Sequence, residues 1–425
     1  MSQACRLRTA AWYGDREIEL AFPDGWKVAV HTPRTGPPLA DADIDEALRH
    51  PVGQEPIARL ARGRSRPLIV VDDLTRPTPA SVILPLVLDE LRAGGIEADA
   101  VRVLLGFGGH RALGRPELLH KLGPLADDLT VINHTPYEHL VAFGTTTAGT
   151  PVFISRWYAE AELRVTIGCV EPHPALGWSG GAKLVVPGLA GIETIAANHR
   201  PGHLARGILA PDDNAQRRDV EEAVRRVGLD HIVNVVIAGR REVVGLFAGD
   251  MVAAHRAAAR FAEPLYHTPV GAPADVAFFN AYPKDTELLQ ANNALNAALA
   301  ARTALLREGG VAVVATAASE GPGYHALYQP GARFYERPAH RYVADRPVTV
   351  YCPHGRAADL PPSFPAGTTL HRAWADVVRW VESRVGLEPT VTVFTEGPLQ
   401  IPVAAGRPDA AGAQDRAPLA DSHAR

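Results

Sequence analysis

Pro67-Leu68-Ile69-Val70-Val71-Asp72-Asp73 is the stretch on which the fold turns: an unbroken apolar run that ends in two acids. A strand wetted on one face alternates, whereas a run apolar at every position fits a strand buried on both faces, as in a parallel sheet. A polar loop follows, then a helical segment predicted over Ser81 to Arg92, and Ala98 to Leu105 repeats the buried-strand pattern. Strand, loop and helix in succession predict an α/β fold with mainly parallel sheets.

Outward from there, strands are predicted at Thr130 to Asn133, Leu163 to Cys169, Ile232 to Ile237 and Glu242 to Phe247. Helices are predicted near Ile192 to Asn198, Asn214 to Arg226 and Met251 to Ala262. Upstream, Glu17 to Phe22 and Trp26 to Val30 flank the turn tripeptide Pro23-Asp24-Gly25 and read as a β-hairpin. A boundary is predicted within His267 to Ala274, where Thr-Pro-Val-Gly-Ala-Pro breaks the pattern before it restarts at Asp275 to Asn280. Beyond it come a long helical stretch, Thr286 to Arg307, strands at Gly310 to Thr316, Val348 to Cys352 and Val391 to Thr395, and a helix at Trp374 to Val385. The expected organisation is an N-terminal α/β domain over 1–270, a C-terminal α/β domain over 271–404 and a disordered tail over 405–425, which has no apolar period.

Composition narrows the function classes. Forty-three Lys plus Arg against 47 Asp plus Glu give a formal charge of −4, with no basic run interleaved with aromatics, so nucleic acid is not an expected partner. No apolar run approaches the length of a membrane span and no apolar leader opens the chain, so neither membrane insertion nor export is expected. Cys5, Cys169 and Cys352 form no CxxC pair, which argues against a disulfide framework or a thiolate zinc site and fits the cytoplasm.

Ligands of parallel sheets collect beyond the carboxyl ends of the strands, and four polar constellations occur at such places. Asp72-Asp73-Leu74-Thr75-Arg76-Pro77 can hold hydroxyls and a carboxylate or phosphate, or can simply cap a strand-to-helix turn. Gly106-Phe107-Gly108-Gly109-His110-Arg111 offers close backbone approach and a histidine suited to acid–base work, or is a structural loop. Glu171-Pro172-His173 through Trp178-Ser179-Gly180-Gly181-Ala182-Lys183 to Asn198-His199-Arg200 is more specific. Its Ser-Gly-Gly loop could present N–H groups to an anion, but the lysine fails the phosphate-loop spacing of ATP-binding proteins. Lys183 is then a surface charge, a phosphate clamp or a covalent anchor. Asn280 to Asp285 with Gln290 and Asn293 place amides at a helix entrance, where substrate binding and ordinary capping are both served.

Taken together, Asp73-x-Thr75-Arg76-Pro77, Gly109-His110-Arg111, Glu171-Pro172-His173, Gly177-x-Ser179-Gly180-Gly181-x-Lys183, Pro187-Gly188 and Asn198-His199 resemble the lactate racemase family, nickel-pincer-nucleotide enzymes that invert 2-hydroxy acids. The resemblance spans roughly residues 10 to 330 and implies two α/β domains with the cofactor in a cleft between them. It implies Lys183 as the covalent anchor of a nickel pyridinium-3-thioamide-5-thiocarboxylic acid mononucleotide made by separate maturation proteins. His199 would be the protein ligand to nickel, His110 and His173 the acid–base pair, and Asp73, with Ser179, Gly180 and Gly181, further cofactor contacts. Arg76 and Gln290 fall among substrate-contacting positions.

The departures concern the substrate. Asn293 stands where lactate racemases carry a lysine, Leu289 where they have a tyrosine, and Trp178 where they have a phenylalanine. Loss of a cation beside a carboxylate argues against lactate, so a different small anionic 2-hydroxy acid, racemised or epimerised through its 2-oxo acid, is expected. Two other readings of the same residues are a pyridoxal-phosphate enzyme with Lys183 as Schiff base, and a non-catalytic protein that binds a nucleotide cofactor.

Overall fold

The computed structural model describes residues 3–200, 211–335, 343 and 346–406. Two six-stranded sheets organise them. The first runs in the order Glu242–Gly249, His231–Ala238, Leu163–Cys169, Pro67–Val71, Arg102–Leu105, Thr130–Asn133, parallel except for its antiparallel edge Glu242–Gly249. All five residues of Pro67–Val71 are buried, as a strand covered on both faces requires. The second is parallel throughout: Thr369–His371, Val348–Tyr351, Leu306–Ala315, Ala274–Asn280, Thr390–Phe394, Lys27–His31.

Chain order reverses in the first sheet between Pro67–Val71 and Leu163–Cys169, and in the second between Ala274–Asn280 and Thr390–Phe394. Crevices open at such switch points, beyond the strands' carboxyl ends. The loops beginning at Asp72 and Val170 therefore face a crevice in one sheet, and the loop beginning at Ala281 faces one in the other.

Two expectations need correction. Arg16–Phe22 pairs antiparallel with Gln3–Thr9, not with the segment after Pro23-Asp24-Gly25. Trp26 is buried against Phe22, the Lys27 N–H donates to the Pro389 carbonyl (2.9 Å), and Lys27–His31 runs on as the edge strand beside Thr390–Phe394. The turn residues make a turn, but alternation cannot name a strand's partner. This places one strand from residues 1–270 in the second sheet. The long helix over 286–307 is instead Leu288–Ala291, a 3-10 turn Asn292–Leu295 and Asn296–Ala300, followed by the strand Leu306–Ala315. Asn293 turns its amide back onto Gln290, the kind of local bond that competes with a regular helix. Of the tail 405–425, residues 407–425 lie outside the described residues.

Buried polar contacts tie the loop after Ala274–Asn280 to the N-terminal hairpin and to the first sheet. Asp285 accepts from the Ala10 and Ala11 N–H groups (2.7 and 3.1 Å), and Lys284 is paired with Glu171 at 2.5 Å, both almost without solvent contact. Within the first half, fully buried Lys121 binds Asp72 Oδ1 at 2.5 Å and donates to the Asp73 and Arg76 carbonyls, which pins the loop after Pro67–Val71. Removing one partner of a buried pair strands the other charge at a cost of about 3–5 kcal/mol. Lys121→Met is therefore expected to lower the midpoint of chemical unfolding strongly, and adding Asp72→Asn to recover part of the loss.

Candidate active site

A cavity of about 210 Å³ lies where the carboxyl ends of the two sheets meet, lined by residues of both halves. Arg76, Asp73, His110, His173, Lys183 and His199 come from the first, Gln290, Asn293, His325 and Tyr328 from the second.

His110 follows the glycine-rich loop and is held by Asp73, whose Oδ2 lies 2.6 Å from Nδ1. The other carboxylate oxygen of Asp73 accepts from the Thr75 hydroxyl (2.5 Å) and Thr75 N–H (3.0 Å). Burial opposes ionisation of Asp73, but His110 and Arg76 hold its carboxyl well below the usual range. Nδ1 of His110 therefore carries the proton and Nε2 presents a lone pair, with the Gln290 amide 3.4 Å away. A carboxylate that fixes the tautomer of a base is the arrangement of a catalytic dyad.

His173 is built the other way round. The Ala175 and Leu176 N–H groups donate to its Nδ1 (3.2 and 3.1 Å), so the ring proton sits on Nε2. Burial, then Lys183, Lys284 and Arg76, keep its imidazole from becoming charged. His199, at the end of Ile192–Asn198, donates its Nδ1–H to the Ile195 carbonyl (2.7 Å), which leaves Nε2 as the basic nitrogen, the tautomer a metal ligand needs.

Lys183 makes no side-chain hydrogen bond or ion pair among the described residues. Burial lowers its pKa well below the ordinary value, Arg76 and Lys284 lower it further, and Glu171 opposes them. The neutral amine, a nucleophile, is thus favoured.

Of the other expected contacts, Ser179 and Gly180 line the cavity, whereas Trp178 and Gly181 do not. Trp178 does not line the cavity: its side chain is fully buried and stacks on Tyr266, so it cannot touch a substrate there. Ser179 donates its hydroxyl to the Cys169 carbonyl (2.7 Å), and the Gly181 N–H donates to Asn234 (3.0 Å), so neither is available to an anion. Gly180, at φ +76°, packs so closely that a Cβ would lie 2.3 Å from the Asn234 side chain. The loop positions Lys183 by shape. Gln290 and Asn293 both line the cavity, and Asn293 spends its amide on Gln290.

Sequence reasoning missed His325. It sits after the second sheet's strand Leu306–Ala315, with ring centroids 5.1 Å from His110 and 5.7 Å from His199. It packs on Gly109, where a Cβ would approach the ring to 2.9 Å, and the Ala326 N–H donates to the Gly109 carbonyl (2.7 Å). The available signal was a histidine in a loop after a parallel strand, the same rule that singled out His110. Glu287 was missed too. Burial, then Asp73, push its carboxyl up to about 8, while Oε2 accepts from the Tyr324 N–H (3.2 Å).

The fold and the lysine- and histidine-lined cleft define an α/β protein with an enzyme-like active site. The family model of the lactate racemase N-terminal domain matches residues 13–207. Lactate racemase of Lactiplantibacillus plantarum is 31% identical over 299 residues, 67% of this chain and 68% of that one. Lactate racemase of Thermoanaerobacterium thermosaccharolyticum is 30% identical over 331 residues, 75% of this chain and 76% of that one. The apoprotein structure of the Thermoanaerobacterium lactate racemase superposes with a TM-score of 0.74 at 24% identity, covering 94% of this chain and 100% of that one. A crystal structure of a Thermotoga maritima protein gives 0.65 at 16% identity, covering 87% and 99%. The chain belongs to the lactate racemase family.

Glu287 gives a test of these electrostatics. Its folded pKa of about 8 exceeds the ordinary 4.5, so between those values the folded state holds more protons than the unfolded one, and stability falls as pH rises through that window. Glu287→Gln is expected to flatten this decline in pH-dependent unfolding; an unchanged slope would place the titration elsewhere.

Proposed function

We propose that the chain racemises or epimerises a small 2-hydroxy acid other than lactate, with a nickel-pincer nucleotide tethered through Lys183. One observation carries the reading: an Asp-oriented histidine base, a lysine kept neutral and a histidine in the metal-ligand tautomer line the same cavity. The residues fit such a cofactor. Lys183 would hold it covalently and His199 would supply the nickel ligand. Among the described residues no cluster of three or more His, Cys, Asp or Glu could bind a metal ion alone, so further donors would be the cofactor's own. When bound, the cofactor supplies a reversible acceptor for the C2 hydride, by which the hydroxy acid passes through its 2-oxo acid.

The chain's own residues do the rest. Arg76 faces the cavity with one guanidinium nitrogen held by Thr75, and its remaining N–H groups serve the substrate carboxylate. His110 Nε2 takes the hydroxyl proton, and Asp73 stabilises the imidazolium that results. Rotation about the C1–C2 bond turns the other face of the keto group inward, and as the hydride returns His173 would give its Nε2 proton to the new hydroxyl, solvent restoring that proton while His110 releases the one it took. Because backbone N–H groups hold His173 Nδ1, accepting a proton at Nε2 requires its ring to turn or those bonds to yield. The two histidines are therefore chemically unequal. A lysine missing at Asn293 leaves the carboxylate to Arg76, which supports a substrate other than lactate.

The pyridoxal-phosphate alternative would use the same neutral lysine, but the Ser179 hydroxyl and Gly181 N–H that would cup its phosphate are spent inside the protein. Among the described residues no helix is long and apolar enough to cross a membrane. The three cysteines are buried free thiols, which supports a cytoplasmic enzyme.

Protein produced together with cofactor-maturation proteins should carry a mass adduct on Lys183 and bound nickel, both absent from Lys183→Ala. A borohydride-trapped pyridoxal adduct would instead establish the alternative. Asp73→Asn should retain the adduct and nickel while turnover falls by roughly 10²- to 10⁴-fold, the range expected when a base loses its orienting carboxylate.

A further inference from the structure

His325 has no part in the roles above, yet its ring lines the cavity between His110 and His199. The Leu327 N–H donates to its Nδ1 (3.2 Å), so the ring proton sits on Nε2. That tautomer is the reverse of His199's. A nitrogen that bears a proton cannot ligate a metal, so His325 is no second nickel ligand in this arrangement. Among the described residues, Nε2–H meets no hydrogen-bond acceptor. It is a neutral donor held rigidly at the cavity wall, on the half that also supplies Gln290 and Asn293.

Charge around that wall is sparse. Apart from Arg76 and Lys183, the one arginine or lysine lining the cavity among the described residues is Arg200, which donates to the Ala197 and Gly149 carbonyls. Nearby Lys284 is committed to Glu171. A second substrate carboxylate on this wall would find amides and an imidazole, since among the described residues the second half contributes no lysine or arginine to the cavity lining. A bare methyl would leave the His325 N–H stranded, and such a buried donor carries a desolvation cost. An oxygen at C3 that is uncharged and can accept satisfies both conditions.

We propose that His325 is a specificity-determining residue whose Nε2–H binds a hydroxyl on C3 of the substrate, so that the preferred class is 2,3-dihydroxy monocarboxylates. This rests on the 2-hydroxy acid reading and extends it. Sites built to hydrogen-bond a substrate hydroxyl reject analogues that lack it by large factors, because their own polar group is left unpaired.

The test compares glycerate, lactate and malate with cofactor-loaded protein, in both turnover and calorimetric binding. Wild type should favour glycerate over each of the others by at least about 100-fold in kcat/KM. His325→Phe should lose most of that preference by weakening glycerate while sparing lactate, and His325→Gln, which restores a neutral donor, should regain part of it. Equal loss on all three acids in His325→Phe would show a merely structural role and overturn the inference, as would wild-type preference for lactate or malate. Glycerate-selective binding that depends on His325 without any turnover would instead sink the racemase reading and leave the contact standing. Absence of selectivity in binding and turnover alike would overturn the contact.

Discussion

A lysine can be acylated or form an imine only while its amine is uncharged, and the centre of this molecule is arranged around that constraint. Burial keeps Lys183 uncharged, and the neighbouring Arg76 and Lys284 make a third cation still less favourable. Lys284 in turn stays buried only because Glu171 lies 2.5 Å from it. The pair spans the two halves of the chain. One ion pair thus joins the loops of both sheets and places a fixed positive charge under the site, where it acts on Lys183 and also on His173.

The topology explains why such a centre can exist. Two parallel sheets present their switch points to the same cavity, so loops that are distant in the chain meet there. The first half brings the groups that titrate or anchor. The second brings neutral polar groups, Gln290, Asn293 and His325, and closes on the glycine-rich loop where His325 packs against Gly109. The histidines of the cavity are distinguished by which ring nitrogen the backbone or a carboxylate engages. His110 and His199 are left with a basic Nε2, His173 and His325 with an Nε2–H. The proposed base, ligand and donor roles rest on hydrogen bonds made on the side of each ring away from its task.

Much of this was legible in the sequence where burial leaves a local imprint. Pro67–Val71 is a strand because its continuous apolar run fits a sheet covered on both faces, Leu163–Cys169 is its largely buried neighbour, Thr130–Asn133 is the more exposed edge, and Trp374–Val385 keeps its amphipathic period as a helix. Asp73, Arg76, His110, His173, Lys183, His199, Gln290 and Asn293, all marked by loop position or family pattern, line the cavity. What failed depended on distant partners. Lys27–His31 is captured by a strand from the far end of the chain, the helix after Glu287 is broken by side-chain bonds, and Trp178 turns into the core beside Tyr266. His325 carried only the weak signal of a loop histidine after a parallel strand, and its place beside His110 and His199 comes from packing against Gly109 across the cleft.

The central claim is that inversion proceeds by moving hydrogen away from C2 as hydride and returning it to the same molecule, with the histidines handling only the oxygen-bound proton. The direct measurement is inversion of one enantiomer of an accepted 2-hydroxy acid in deuterium oxide, following isotope at C2 by mass spectrometry. Internal return predicts product that keeps its original protium at C2 through many turnovers. Solvent deuterium entering C2 as fast as the centre inverts would contradict the account and leave His110 and His173 as bases acting on carbon.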